Sequence, residues 1–404
     1  MKTKLMMMLA FCPAIAFSSY QSSEKEILKR VLDNLEKIET ASYYEQLKGW
    51  RPSDTISTDY LYFCEEYDNP MDSTLGVSFV YRDAKDTTQV DDCYDGTLYA
   101  SMWHEEKGVV IDDFTTNSYP FRTKTPPFFN YTKNIIRYVL NTNDSISVEW
   151  QETTDDYHLK LTINEDQQIE FFGKDCRMPK NPYIFGDPTS VYELWISKSS
   201  GLPYRTRREM SHDTSERSYQ AVELNKSQVK SILVGDYIPD GYIVRKKGDK
   251  TKGDSETVTL LGKKAPDWKL NDTNGQPVSL SDLKSKVIVM NFTGIGCGPC
   301  RVAIPFLNSI KELFPTNDCE VISVECWGNK MHSLRVYSDK NRMNYKFLEG
   351  SDAIIKDYLN GNRGVPVFLI LDATRTVRKI ITGFNPETTG QEMVEVIKGV
   401  LSST

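Results

Sequence analysis

Cys297 and Cys300, separated by a Gly-Pro dipeptide, are the residues whose types and spacing point most directly to chemistry. The apolar run at residues 287–292 predicts a buried strand, and the threonine and glycines at residues 293–296 predict a turn. After Cys300, apolar residues recur at helical spacing as far as Ile310. Cys297 is therefore predicted at the N-terminus of a helix, where free N–H groups and the helix dipole stabilise a thiolate. This setting is suited to dithiol–disulfide exchange.

A C-x-x-C pair can also supply two of the four ligands of a zinc site. The sequence contains no second pair of this kind, because Cys319 and Cys326 do not have that spacing, and its four histidines are scattered. We therefore predict a redox pair, with no metal and no cofactor other than the Cys297–Cys300 disulfide itself.

The length of 404 residues allows two domains, and a net charge of −7 without a basic patch argues against nucleic acid as a partner. At the N-terminus, two lysines precede an apolar run at residues 5–16 that ends in Ala-Ile-Ala. This pattern predicts a secretory signal peptide over residues 1–16 and export to the periplasm or cell envelope. Lipid attachment at Cys12 is the alternative, although Phe11 stands where such a signal has a small residue.

Seven cysteines follow the predicted signal, and an odd number in an exported protein leaves at least one thiol unpaired or paired with another molecule. Cys64, Cys93 and Cys176 lie in the first half of the chain. They could provide one structural disulfide, or they could be buried thiols that pack as small apolar residues.

The first half of the chain begins with the pattern of an amphipathic helix that ends near Thr40. Short alternating segments separated by turn signals then continue to about residue 244, interrupted by a predicted helix at residues 128–140. These patterns predict an α+β domain with a strongly curved antiparallel sheet over residues 17–245. A charged stretch with glycines follows, and it predicts a linker at residues 246–261.

Two turn motifs in this domain are Asp-Gly-Thr-Leu-Tyr at residues 95–99 and Gly-Leu-Pro at residues 201–203. They resemble hairpins of the LolA-like family of lipoprotein carriers. The resemblance implies a half-barrel whose apolar concave face could hold an acyl chain or a lipopeptide, making a lipid or lipoprotein a partner of this domain. The alternative is that the sheet serves only as a docking or dimerisation scaffold.

The second half of the chain predicts a βαβ unit followed by a ββα unit around the C-x-x-C motif, which is an α/β layout of the thioredoxin type. Its motifs are Ala-Pro-Asp-Trp at residues 265–268, Asn-Gly at 274–275, Asn-Phe at 291–292, Cys-Gly-Pro-Cys at 297–300, Pro305 and Val-Pro at 365–366. On these motifs, residues 262–404 resemble the TlpA/ResA-type thioredoxin-like thiol–disulfide oxidoreductases, which are exported proteins of bacterial envelopes. The resemblance implies a cis peptide between Val365 and Pro366, packed against the disulfide, whose backbone pairs with an extended substrate segment.

The chain departs from this family at three positions. Gly296 stands where the family usually has a tryptophan, Ala303 where many members have a glutamate, and Asn291 where thioredoxin has an aspartate. The buried acid that moves a proton is therefore missing from both usual places. Glu325, at the end of a predicted strand, could take over proton transfer, and a bound water is the other alternative.

Taken together, these features predict an exported thiol–disulfide oxidoreductase. Cys297 would attack a substrate disulfide and Cys300 would resolve the mixed disulfide, with a protein thiol or disulfide as substrate and a membrane or periplasmic electron donor. The Gly298-Pro299 dipeptide, shared with thioredoxin, favours a protein disulfide reductase. The alternatives are a thiol peroxidase and a lipid or lipoprotein carrier with an accessory thioredoxin domain.

Overall fold

The computed structural model of the chain describes residues 18–19, 22–51, 56–116, 125–178, 188–211, 213–229, 231–249 and 260–403. The predicted signal peptide and residues 250–259 of the predicted linker lie outside these ranges. Within them, no helix has both the length and the apolar character needed to cross a bilayer.

The N-terminal half consists of two helices and fifteen strands within the described ranges. The helices are α1 (Ser22–Glu36) and α2 (Phe128–Asn141), and a 3-10 helix spans Val234–Tyr237. The strands are β1 (Ser18–Ser19), β2 (Thr40–Trp50), β3 (Thr58–Asp68), β4 (Val77–Asp83), β5 (Val90–Tyr94), β6 (Tyr99–Trp103), β7 (Gly108–Asp112), β8 (Ile146–Glu152), β9 (Asp156–Ile163), β10 (Ile169–Phe171), β11 (Asp175–Arg177), β12 (Ser190–Ser197), β13 (Leu202–Glu209), β14 (Thr214–Leu224) and β15 (Ile243–Lys246).

Thirteen of these strands form one sheet, in the order β1-β8-β9-β12-β13-β14-β2-β3-β4-β5-β6-β7-β15. Neighbouring strands are antiparallel except for β15, which runs parallel to β7. The α+β class predicted for this half is confirmed.

The first helix is shorter than the sequence predicted. It ends at Glu36, and Thr40 is already the first residue of β2. The side-chain oxygen of Asn225 accepts hydrogen bonds from the N–H groups of Glu39 and Thr40, at 2.8 and 3.1 Å. This contact fixes the chain in an extended conformation as it leaves the helix.

The main core of this half lies between the two helices and one face of the sheet. Leu28, Val31 and Leu35 of α1 and Ile135 and Ile136 of α2 are all buried there. The apolar residues of α1 recur every three or four positions, so this helix buries one stripe, whereas α2 is buried over most of its surface.

Three buried cysteines lie in this half of the chain. Cys64, Cys93 and Cys176 are not joined to one another, so the predicted option of a structural disulfide among them is wrong. Burial raises the pKa of the Cys93 thiol to about 12, which leaves it protonated and unreactive. These residues pack as small apolar side chains.

Among the residues that the structure describes, the C-terminal half contains four helices, seven strands and a 3-10 helix at Leu280–Asp282. The strands are β16 (Lys269–Asn271), β17 (Pro277–Ser279), β18 (Val287–Thr293), β19 (Cys319–Glu325), β20 (Lys346–Glu349), β21 (Val367–Leu371) and β22 (Val377–Thr382). The helices are α3 (Gly298–Leu313), α4 (Met331–Lys340), α5 (Asp352–Leu359) and α6 (Thr389–Ser402).

The central sheet of this half has the order β20-β19-β18-β21-β22. Strand β18 is parallel to β19 and antiparallel to β21, so the βαβ unit and the ββα unit meet at the strand that leads to Cys297. Helices α3 and α6 pack on one face of the sheet and α5 packs on the other. The predicted thioredoxin-type α/β layout is confirmed.

Candidate active site

The redox pair lies where β18 passes into α3. Every residue of β18 is buried, so the strand is held between the two layers of helices and fixes the start of the following turn. Cys297 is the N-cap of α3, and its Sγ accepts a hydrogen bond from the N–H of Cys300 at 3.2 Å. The two cysteines form a disulfide with their Cα atoms 5.2 Å apart.

The two sulfurs differ in their surroundings. Cys297 is 5% exposed and Cys300 is 1% exposed, so Cys297 is the outer member of the pair. In the reduced state, the N–H of Cys300 and the helix dipole would stabilise a thiolate on Cys297. An incoming disulfide would meet Cys297 first, and Cys300 is placed behind it.

The peptide bond between Val365 and Pro366 is cis and borders the disulfide. The carbonyl oxygen of Val365 lies 3.7 Å from Sγ of Cys297. Strand β21 begins at the next residue after Pro366, so this backbone leads directly from the disulfide into the sheet. A substrate segment that reaches Cys297 would pass beside the Val365 carbonyl.

Glu325 is buried at the C-terminal end of β19, with an exposed fraction of 1%. Its Oε2 accepts hydrogen bonds from the N–H groups of Trp327 and Asn329, both at 2.9 Å. Its Oε1 accepts from the N–H of Ile295 at 3.4 Å and from Nδ2 of Asn329 at 2.7 Å. The carboxylate therefore ties the turn before Cys297 to the turn after β19.

Trp327 was not identified from the sequence as a site residue. Its ring covers Gly294, since a Cβ atom added to that glycine would lie 2.5 Å from the ring. Its indole N–H donates to the carbonyl oxygen of Arg363 at 2.9 Å, two residues before Val365. Trp327 thus connects the turn of the redox pair with the cis-proline segment.

Only an indirect feature of the sequence pointed to an aromatic residue such as Trp327 at this site. Gly296 occupies the position where the family has a tryptophan, so an aromatic side chain had to come from elsewhere if one borders the disulfide. Its position follows from the pairing of β18 with β19, in which Thr293 lies beside Glu325. Sequence patterns do not reveal that register.

Asn291 lies on β18 below the redox pair, with an exposed fraction of 2%. Its Nδ2 donates to the hydroxyl of Ser323 at 2.8 Å, while its Oδ1 has no hydrogen-bond partner among the described residues. An amide cannot exchange a proton as a carboxylic acid does, so this position does not provide the acid found in thioredoxin.

Residues 261–380 match the AhpC/TSA family. The chain is 25% identical over 144 residues to the thiol-disulfide oxidoreductase ResA of Geobacillus thermodenitrificans, covering 35% of this chain and 81% of that protein. It is 26% identical over 137 residues to ResA of Bacillus subtilis, covering 34% of this chain and 75% of that protein. A solved thiol:disulfide interchange protein of the thioredoxin family from Chlorobium tepidum aligns with 34% of this chain and 95% of its own, with 22% identity and a TM-score of 0.30.

The resemblance of the N-terminal half to LolA-like carriers finds no support in these matches and stays a prediction. For the other half, the family match, the ResA relatives and the observed layout agree. The C-terminal region of this chain is a thioredoxin-like thiol–disulfide oxidoreductase domain of the AhpC/TSA family.

Proposed function

We propose that this protein is an exported disulfide reductase of the cell envelope that acts through the Cys297-Gly298-Pro299-Cys300 motif. The observation that carries the proposal is the placement of Cys297 at the N-terminus of α3, beside the Val365 carbonyl and in front of the buried Cys300. Export rests on the signal peptide predicted at residues 1–16. The reductase direction rests on the Gly-Pro dipeptide.

The reaction begins with the reduced pair. The Cys297 thiolate attacks one sulfur of a substrate disulfide, forming a Cys297–substrate bond and releasing the second substrate sulfur as a thiolate that takes up a proton. The Cys300 thiolate then attacks Sγ of Cys297. This step forms the Cys297–Cys300 disulfide, releases the substrate's remaining sulfur and completes the transfer of two electrons to the substrate. A dithiol partner in the envelope or membrane restores the reduced pair by the reverse exchange.

Substrate binding would use the backbone next to the disulfide. An extended segment can pair with Val365 and Pro366 on one side, while the Trp327 ring forms a wall above Gly294 on the other. Gly298 and Pro299 occupy the first positions of α3, where proline is compatible with a helix because its missing N–H would have no helical partner.

We further propose that Glu325 acts by positioning. Its carboxylate already accepts four hydrogen bonds, three of them from backbone N–H groups. The predicted proton-transfer role would require these contacts to rearrange during catalysis. Holding the turn before Cys297 requires no rearrangement.

The test is reduction of insulin disulfides by the full chain with dithiothreitol as electron source. Cys297→Ser should abolish turnover. Cys300→Ser, reduced beforehand and freed of dithiothreitol before insulin is added, should accumulate a mixed disulfide that is visible as a mass adduct. Cys319→Ala is a matched control, because it removes a buried thiol at the opposite end of the sheet from the site, where Cys319 pairs with Val287. Full turnover in Cys297→Ser would overturn the proposal.

A further inference from the structure

The N-terminal sheet contains a cavity that the redox chemistry does not use. Its volume is about 450 Å³, within the usual range for small-molecule sites. Strands β2 to β6, β13 and β14 contribute to its wall, together with Tyr131 of α2. Both charged and aromatic side chains line it.

The first charged group in the wall is a buried ion pair between Glu45 of β2 and Arg217 of β14. The guanidinium also donates to the carbonyl oxygen of Pro126 at 3.0 Å, and the Tyr81 hydroxyl donates to Glu45 at 3.0 Å. The positive charge of Arg217 is thus neutralised within the wall and is not left to bind an anion.

The second charged group joins Arg208 to two carboxylates. Its guanidinium pairs with Glu170 and also donates to Asp213 at 2.6 Å. The hydroxyl of Tyr192 donates to Glu170 at 3.2 Å. Two carboxylates thus contact the single positive charge of Arg208, so this group as a whole carries a net negative charge.

Asp92 of β5 is a further carboxylate in the wall. It accepts a hydrogen bond from the Tyr99 hydroxyl, and no lysine or arginine of the described ranges forms an ion pair with it. Burial and the adjacent Asp92 raise the pKa of Tyr99, so its hydroxyl remains a neutral donor. Among the described wall residues, carboxylates outnumber guanidinium groups by two.

The aromatic residues of the cavity suit the same kind of ligand. Tyr62, Tyr81 and Phe79 contribute rings from adjacent strands, and ring faces attract cations. The wall already contains one such contact, since the guanidinium carbon of Arg217 lies 5.1 Å from the centre of the Tyr131 ring.

We propose that this cavity binds a small organic cation of the guanidinium class, with Asp92 as its charge partner and tyrosine rings as its contact surface. An acyl chain would bury these charged groups against hydrocarbon at a large cost in free energy, so the cavity does not favour a lipid ligand. The binding is separate from thiol–disulfide exchange.

The test is calorimetric titration of the full chain with two probes that differ in charge alone. Nα-acetyl-arginine amide carries a guanidinium, and Nα-acetyl-citrulline amide carries a neutral urea of the same shape. We expect saturable binding of the arginine probe, with the citrulline probe weaker by about tenfold or more. Equal affinities, or no saturable binding of the arginine probe, would overturn the proposal without any variant being needed.

A pair of variants then locates the site. Asp92→Asn should weaken the arginine probe by about fivefold or more. Asp91→Asn is the matched control, because Asp91 does not line the cavity and its carboxylate instead lies 3.4 Å from the His104 ring. An affinity that falls equally in both variants, or in neither, would contradict the assignment to this cavity.

Discussion

Replacing Glu325 by alanine should loosen the turn that carries the redox pair. The carboxylate is buried and accepts hydrogen bonds from Ile295, Trp327 and Asn329, so the substitution leaves these donors without an acceptor. Ile295 is fully buried, so its N–H would remain without a hydrogen-bond acceptor. Trp327 is exposed enough for water to accept a hydrogen bond from its N–H in place of the carboxylate.

The expected cost follows from these contacts. A buried N–H without a partner costs about 1–3 kcal/mol. With one fully buried donor and three donors that water can partly satisfy, we expect Glu325→Ala to lower the free energy of opening of this region by about 3 kcal/mol. Glu325→Gln keeps one acceptor oxygen and should cost about 1 kcal/mol.

Hydrogen exchange measured by mass spectrometry is the suitable assay, because it reports local opening and does not require the two halves of the chain to unfold together. Peptides covering residues 287–296 should exchange about a hundredfold faster in Glu325→Ala. Glu320→Gln is the matched control on the same strand, since Glu320 pairs with the half-exposed Lys346 and should change exchange little.

The same variants separate positioning from proton transfer. If Glu325 only positions the turn, each substitution should slow the resolution of the mixed disulfide by Cys300. The decrease in rate should be proportional to the loss of protection of residues 287–296 against hydrogen exchange. Unchanged exchange in Glu325→Gln together with a resolution rate lowered about a hundredfold would refute the positioning role, because loss of a proton-transferring group typically has that effect.

Three further predictions concern other positions. Gly294→Ala should lower the melting temperature, because its Cβ would meet the Trp327 ring at 2.5 Å, and calorimetry of the oxidised protein would detect this. Trp327→Leu should lower kcat/KM for insulin reduction by about threefold to tenfold, since it removes the hydrogen bond to Arg363; an unchanged value would exclude a role for this wall. Burial raises the pKa of the Glu66 carboxyl from 4.5 to about 7, against the opposing hydrogen bond from Tyr43. The folded protein therefore binds this proton more tightly than the unfolded chain does. The protonated carboxyl stabilises the fold fully below pH 4.5, and this stabilisation is lost as the pH rises to about 7. The stability of the wild type relative to Glu66→Gln should therefore fall by about 2 kcal/mol between pH 5 and pH 7.5, as denaturant titrations would show.

The C-terminal half could be predicted closely because its elements follow from local patterns. The buried strand before Cys297 and the helix after it both appear at or near their predicted bounds. The contacts of Glu325 and Trp327 with the turn depend on strand register and on residues 30 or more positions away. No local pattern encodes that proximity.

In the N-terminal half, the contacts between distant strands could not be predicted. Strands β2 and β14 each carry one member of the Glu45–Arg217 pair, whose partners are 172 positions apart in sequence. A charged residue in a sequence indicates a solvated face unless its partner is known. The same pairing hid the polar cavity, whereas the resemblance to LolA-like carriers implied an apolar concave face.

The measurement that tests the proposed direction most directly is the reduction potential of the Cys297–Cys300 pair, obtained by equilibration with a thiol buffer and alkylation. A reductase should have a potential near that of thioredoxin, about −270 mV. A value near that of a strong disulfide donor, about −120 mV, would contradict the reductase proposal and make the protein an oxidant of other thiols.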